Sequence, residues 1–95
     1  MIDPKDPSEA VTVTFDFSAL ATAISAPAVS IVQQSGRVHA GLEAMLSGEA
    51  QVSGLAVLQR VIGGVAGNAY KLRCQVDDAD GERWVLADVL RVIDA

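Results

Sequence analysis

The chain is short of the residue types that usually carry reactive chemistry. It holds one cysteine, Cys74, one histidine, His39, and only four aromatics: Phe15, Phe17, Tyr70 and Trp84. A single cysteine excludes an internal disulfide and a multi-cysteine metal cage, and it fits folding in a reducing compartment. Charge of one sign is never concentrated. The first 48 residues carry Lys5 and Arg37 against five acids, and the remainder carries five bases against seven, for a net charge of −5. Phosphate backbones are held by clustered cations, so no nucleic-acid partner is expected. No apolar run approaches the ~20 residues of a membrane span. The amino-terminal stretch also lacks the basic-then-apolar pattern of a signal peptide, so no membrane partner is expected.

What is present is aliphatic. Of 95 residues, 51% are hydrophobic and 4% aromatic, so one core must be built from Val, Leu, Ile and Ala. Residues 1–9, with two prolines and several charges, read as a flexible lead, and residues 10–95 as a single domain. Val11, Val13, Phe15 and Phe17 alternate with Thr12, Thr14 and Asp16. Period two in β-branched and aromatic residues predicts a half-buried strand. The same period returns at Tyr70, Leu72, Cys74 and Val76, against Lys71, Arg73, Gln75 and Asp77. A turn at Asp78-Ala79-Asp80-Gly81 and an apolar run from Trp84 to Ile93 complete a hairpin. In that last run Asp88 interrupts the inward parity, which predicts a bulge near Ala87 or Asp88.

Ile24 to Val32 is a further strand, with Pro27 confined to an edge, a bulge or a strand start. Arg37 to Gln51 predicts one or two short strands, with a helical turn between Gly41 and Gly48 as the lesser alternative. Val52 to Ile62 is apolar on both parities, as in a strand covered on both sides or one whose bulge swaps faces. The sum is an all-β, immunoglobulin-like antiparallel β-sandwich of about six to seven strands.

Few residues invite a chemical reading. Gly63, Gly64 and Gly67 do not form a phosphate loop, because a strand follows them rather than a helix. With Tyr70 they have the spacing of a tyrosine corner, in which the hydroxyl returns to the backbone a few residues upstream. The alternative is a core tyrosine with its hydroxyl at the surface. Asp77, Asp78, Asp80 and Glu82 crowd a turn around Gly81, and a solvated turn outweighs weak calcium binding there, since no EF-hand pattern is present. Cys74 lies on the inward parity as a small apolar side chain. His39 reads as a water-exposed loop or strand residue. Trp84 is either core or an exposed contact residue. No nucleophile elbow or paired-carboxylate pattern occurs, so no enzymatic activity, no catalytic residue, no cofactor and no metal are expected. Gly63, Gly64, Gly67, Tyr70 and Gly81 are structural positions.

Several segments taken in order resemble a known family. They are Lys5-Asp6-Pro7-Ser8-Glu9, then Phe15-Asp16-Phe17-Ser18, then Leu20 and Ile24-Ser25. Next come the Gly-Gly-x-x-Gly-x-x-Tyr run from Gly63 to Tyr70, Asp80-Gly81-Glu82-Arg83, and Leu90-Arg91-Val92. The chain resembles the fiber-tail adaptor proteins of tailed bacteriophages. The resemblance implies a virion component, made in the bacterial cytoplasm and present in several copies as a homo-oligomer. Its partners would be other phage tail or fiber proteins. A binding module of the same fold, for a glycan or a peptide, is the alternative. An open sheet edge would suit strand docking, with residues 1–9 as a candidate donated strand.

Overall fold

A computed structural model describes residues 4–93. Six strands follow in order: β1 (Val11–Asp16), β2 (Ile24–Ser35), β3 (Leu46–Ser53), β4 (Ala56–Val61), β5 (Ala69–Asp78) and β6 (Arg83–Arg91), with a 3-10 turn at Leu42–Met45 before β3. They form two antiparallel three-stranded sheets, β1-β4-β3 and β2-β5-β6. The expected all-β sandwich is therefore present, with six strands. One parallel bridge outside these strands joins Lys5 to Val92.

The inward parities meet between the sheets. Val13 and Phe15 of β1 and Val57 and Val61 of β4 face Leu72, Cys74 and Val76 of β5, all buried. Each fully buried aliphatic side chain of this kind stabilises the fold by about 1.5–3 kcal/mol. Phe17, just past β1, is also fully buried.

The structure departs from the sequence pattern at four places. The first is the end of the hairpin. Pairing of β5 with β6 runs unbroken from Ala69↔Arg91 to Asp77↔Arg83, so no bulge forms at Ala87 or Asp88. Asp88 stays on the inward parity, where its Oδ1 accepts the N–H of Val89 at 2.8 Å. β6 is an edge strand, and an inward charge at an edge remains close to water while discouraging further pairing.

The second is Val52 to Ile62, which is not one strand. Gly54 and Leu55 form a two-residue hairpin loop between Ser53 and Ala56. β4 then buries a single parity, Val57, Gln59 and Val61, while Ala56 and Leu58 are half-buried and Arg60 is exposed. The third is Arg37 to Gln51, which contains both the 3-10 turn and the first part of β3. β3 bulges between Ser47 and Gln51, and the Gln59 amide donates to the Gly48 carbonyl at 3.3 Å and the Arg60 carbonyl at 2.9 Å. Pro27 lies in the register shift of β2 between Ser25 and Ala28, one of the places a proline is tolerated.

The fourth is the lead. Its first three residues and the last two of the domain lie outside the described residues. Lys5, however, is 1% exposed. Its N–H donates to the Arg91 carbonyl at 3.0 Å, and its own carbonyl accepts from Ile93 at 2.8 Å. Among the described residues, packing is thus already present at Lys5, before residue 10, and Lys5 docks on its own sandwich.

Candidate functional site

The polar chemistry of the molecule gathers at the end of the sandwich where β2 leaves and β5 begins. Tyr70, the second residue of β5, is fully buried. Its hydroxyl oxygen accepts the Val65 N–H at 3.0 Å and the Asn68 Nδ2–H at 3.2 Å. The bond to Val65, five residues upstream, is the backbone return of a tyrosine corner. With both lone pairs engaged, the hydroxyl proton is left for His39 Nδ1, 2.8 Å away. That geometry makes His39 Nδ1 the acceptor of this bond. The two rings meet edge to face, with centroids 5.7 Å apart. His39 is thus half-buried and bonded, not a water-exposed loop residue.

Asn68 carries the link to the other loop. Its Oδ1 accepts the Arg37 N–H at 2.8 Å, and its Nδ2 donates to the Arg37 carbonyl at 2.8 Å. Gln33 braces the same loop, accepting the His39 N–H at 3.1 Å and donating to the Arg37 carbonyl. Gly36 sits directly against Asn68: an added Cβ would overlap the Asn68 Oδ1 and lie 2.8 Å from its Cα.

The glycine run forms the floor of this corner. The Gly63 carbonyl accepts Lys5 Nζ at 2.5 Å, and the Gly67 N–H donates to the Val92 carbonyl at 2.8 Å. Gly64 has φ +100°, and a Cβ there would meet Val92 Cγ2 at 2.7 Å and Met45 Cε at 3.1 Å. Lys5 Nζ also donates to the Asp6 carbonyl at 2.7 Å. Burial pushes the Lys5 ammonium below its ordinary pKa, opposed by the nearby Glu9 and Asp6 carboxylates. Among the described residues, every buried side-chain nitrogen and oxygen has a partner.

Gly63, Gly64, Gly67 and Tyr70 are therefore brought together. Gly81 lies at the other end of β5, nine or more residue steps away, or about 30 Å along an extended strand. There Asp78 organises the turn. Its Oδ2 accepts the Trp84 indole N–H at 2.8 Å, and its Oδ1 accepts the N–H groups of Asp80 and Glu82 at 2.8 and 2.9 Å. The Trp84 bond, with the backbone bonds of Glu82 and Asp80, outweighs burial and holds the Asp78 carboxyl below the usual range. Asp77 pairs with Arg83 at 3.0 Å. These two carboxylates thus engage protein donors, and among the described residues no group of three His, Cys, Asp or Glu side chains is arranged to hold a metal.

Burial pushes the Cys74 thiol up to about 11. A reactive cysteine needs the opposite shift. The arrangement ties loops together.

Sequence reasoning missed Lys5, Gly36, Asn68 and Gln59. A polar residue two positions before a corner tyrosine was the one local signal for Asn68. Nothing adjacent in sequence marks Lys5, whose acceptor at Gly63 is 58 residues away.

The family model for the podophage GP4 fiber-tail adaptor protein gp77 matches residues 5–90. The chain belongs to that family. The matched span contains all the corner residues named above except Val92. It makes the chain a phage structural protein of the tail, a fiber adaptor and a virion component. No curated protein matches the chain, and no solved structure matches it.

Two predictions belong to this geometry. Tyr70→Phe leaves the Val65 N–H without its acceptor and is expected to cost about 1–3 kcal/mol. An unchanged denaturation midpoint would remove the hydroxyl from the account. The second concerns Asp78, whose folded pKa is depressed. Its contribution to stability is therefore present above the unfolded value and is lost as pH falls through the folded one. Fluorescence of Trp84, the one tryptophan, should titrate with a midpoint below the ordinary aspartate value of about 3.9, and Asp78→Asn should abolish that transition. A midpoint at or above that value would contradict the indole bond.

Proposed function

We propose that the chain is a non-enzymatic adaptor that joins the phage tail to its fiber, or to neighbouring tail parts, through protein–protein contacts. It acts as an immunoglobulin-like sandwich repeated in several copies within the virion, after assembly in the bacterial cytoplasm. The match to the fiber-tail adaptor family over residues 5–90 carries this reading. The corner supports it. Lys5, the loop at Arg37–His39, the Gly63–Asn68 segment and Val92 are cross-tied at one end, which keeps the loops of a small domain in a fixed relation. Preformed loops lower the ordering cost of a protein contact. In this role Gly63, Gly64, Gly67, Tyr70 and Gly81 shape the backbone and touch no partner.

A glycan-binding module would present an aromatic platform. Phe15, Phe17 and Tyr70 are instead buried, and Trp84 is half-buried with its N–H held by Asp78. Quantitative proteomics of purified particles tests the adaptor reading. The expected result is this chain at a fixed multiple of the tail proteins. Its absence from washed particles would overturn the reading.

A further inference from the structure

Four of the seven lysines and arginines share one surface. Lys71 and Arg73 of β5, and Arg83 and Arg91 of β6, lie on the outward parity of the β2-β5-β6 sheet. Among the described residues the one acid on that parity is Asp77, already paired with Arg83 at 3.0 Å. This face therefore carries +3, and because the whole chain carries −5, the rest carries −8. The outward face of the other sheet shows no such bias: Thr12, Thr14 and Asp16 of β1 stand beside Leu58 and Arg60 of β4.

The shape of the face matters as much as its charge. Register places Ser30 beside Arg73 and Ala87, and Val32 beside Lys71 and Val89. Lys71 and Arg73 thus stand on the central strand, flanked on both sides by small or aliphatic side chains that leave the two cations accessible. Val32 is 53% exposed and Val85 39% exposed, giving aliphatic contact area between the cations.

We propose that this outward face is the docking surface for a carboxylate-rich protein of the tail–fiber assembly. The inference rests on the adaptor reading and adds to it the surface and the chemistry of the partner. Charge complementarity selects the occupant: a surface of +3 on an otherwise acidic body steers an acidic protein patch to this side and repels it elsewhere. A nucleic acid fits poorly, because this face has no aromatic ring for base stacking and the surrounding −8 opposes a polyanion. A second copy meeting it by two-fold symmetry would set like charges opposite one another.

The test places a photocrosslinking amino acid at Ala87 on this face, and separately at Thr14 on the other sheet, in assembling phage particles. Ala87 is expected to capture one tail or fiber protein through a peptide rich in Asp and Glu, and Thr14 to capture none. The Lys71→Glu, Arg73→Glu double variant should lower that yield by about tenfold or more, and added salt during assembly should lower it further. Arg60→Glu should leave it unchanged. Both variants change exposed side chains, and melting curves matching the wild type show that they fold. Crosslinks from Thr14 alone, to another copy of this chain, or to nucleic acid would overturn the proposal, as would full yield from the double variant. Particles that contain the chain but give no Ala87 crosslink defeat the docking face alone. Particles without the chain defeat the adaptor reading beneath it.

Discussion

Gly36→Ala is expected to destabilise the domain by about 3–5 kcal/mol, although Gly36 is exposed to solvent. Exposed substitutions usually stay within about 0.5 kcal/mol. Two independent costs apply here. Gly36 has φ +105°, a conformation that strains any residue with a Cβ. The new methyl would also lie 2.8 Å from the Asn68 Cα and overlap its Oδ1, so backbone or the bonded amide must move. A domain of this size is stable by roughly 5–14 kcal/mol in total. The loss should appear as a fall in Tm of more than about 12 °C. A fall within ordinary surface limits would mean that the two loops are not in contact as described.

Asn68→Ala is expected to cost about 2–4 kcal/mol. Asn68 is 2% exposed and makes three hydrogen bonds, two to the backbone of Arg37 and one to the Tyr70 hydroxyl. Alanine leaves the Arg37 N–H without its acceptor and opens space beside the corner. Chemical denaturation would measure the loss, and hydrogen exchange at the Arg37 amide would localise it. The two changes share a contact, so their effects should not add. With alanine at 68 the overlap with Oδ1 disappears, and Gly36→Ala should then cost less than it does alone. Strict additivity would place the two residues in separate environments.

These residues also mark where sequence reading ends. Tyr70, Leu72, Cys74 and Val76 were legible as a buried face because side-chain direction in a strand alternates with period two and needs no distant information. The corner was legible in outline for a similar reason, since Gly63 to Tyr70 is one short segment. Its partners were not. His39 is 31 residues from Tyr70, Asn68 is 31 from Arg37, and Lys5 is 58 from Gly63. Whether a polar side chain is exposed or buried with a partner depends on which loops the topology brings together.

Two local misreadings have physical sources. Val52 to Ile62 concealed a hairpin because its turn signal is the single Gly54, at the first central position of the loop with φ +61°, set within an otherwise apolar run. Asp88 suggested a bulge because an inward charge is costly in a central strand, and β6 lies at an edge. Fold class depends on repeated local pattern and survived both errors. The distant partners of the corner and the extent of the cationic face depend on which strands pair, and became visible only with the register.

The adaptor role is tested most directly by imaging particles from a phage deleted for this gene. The account predicts complete heads and tails that lack attached fibers, with fibers restored when the chain is supplied in trans. Particles that retain their full complement of fibers would contradict it.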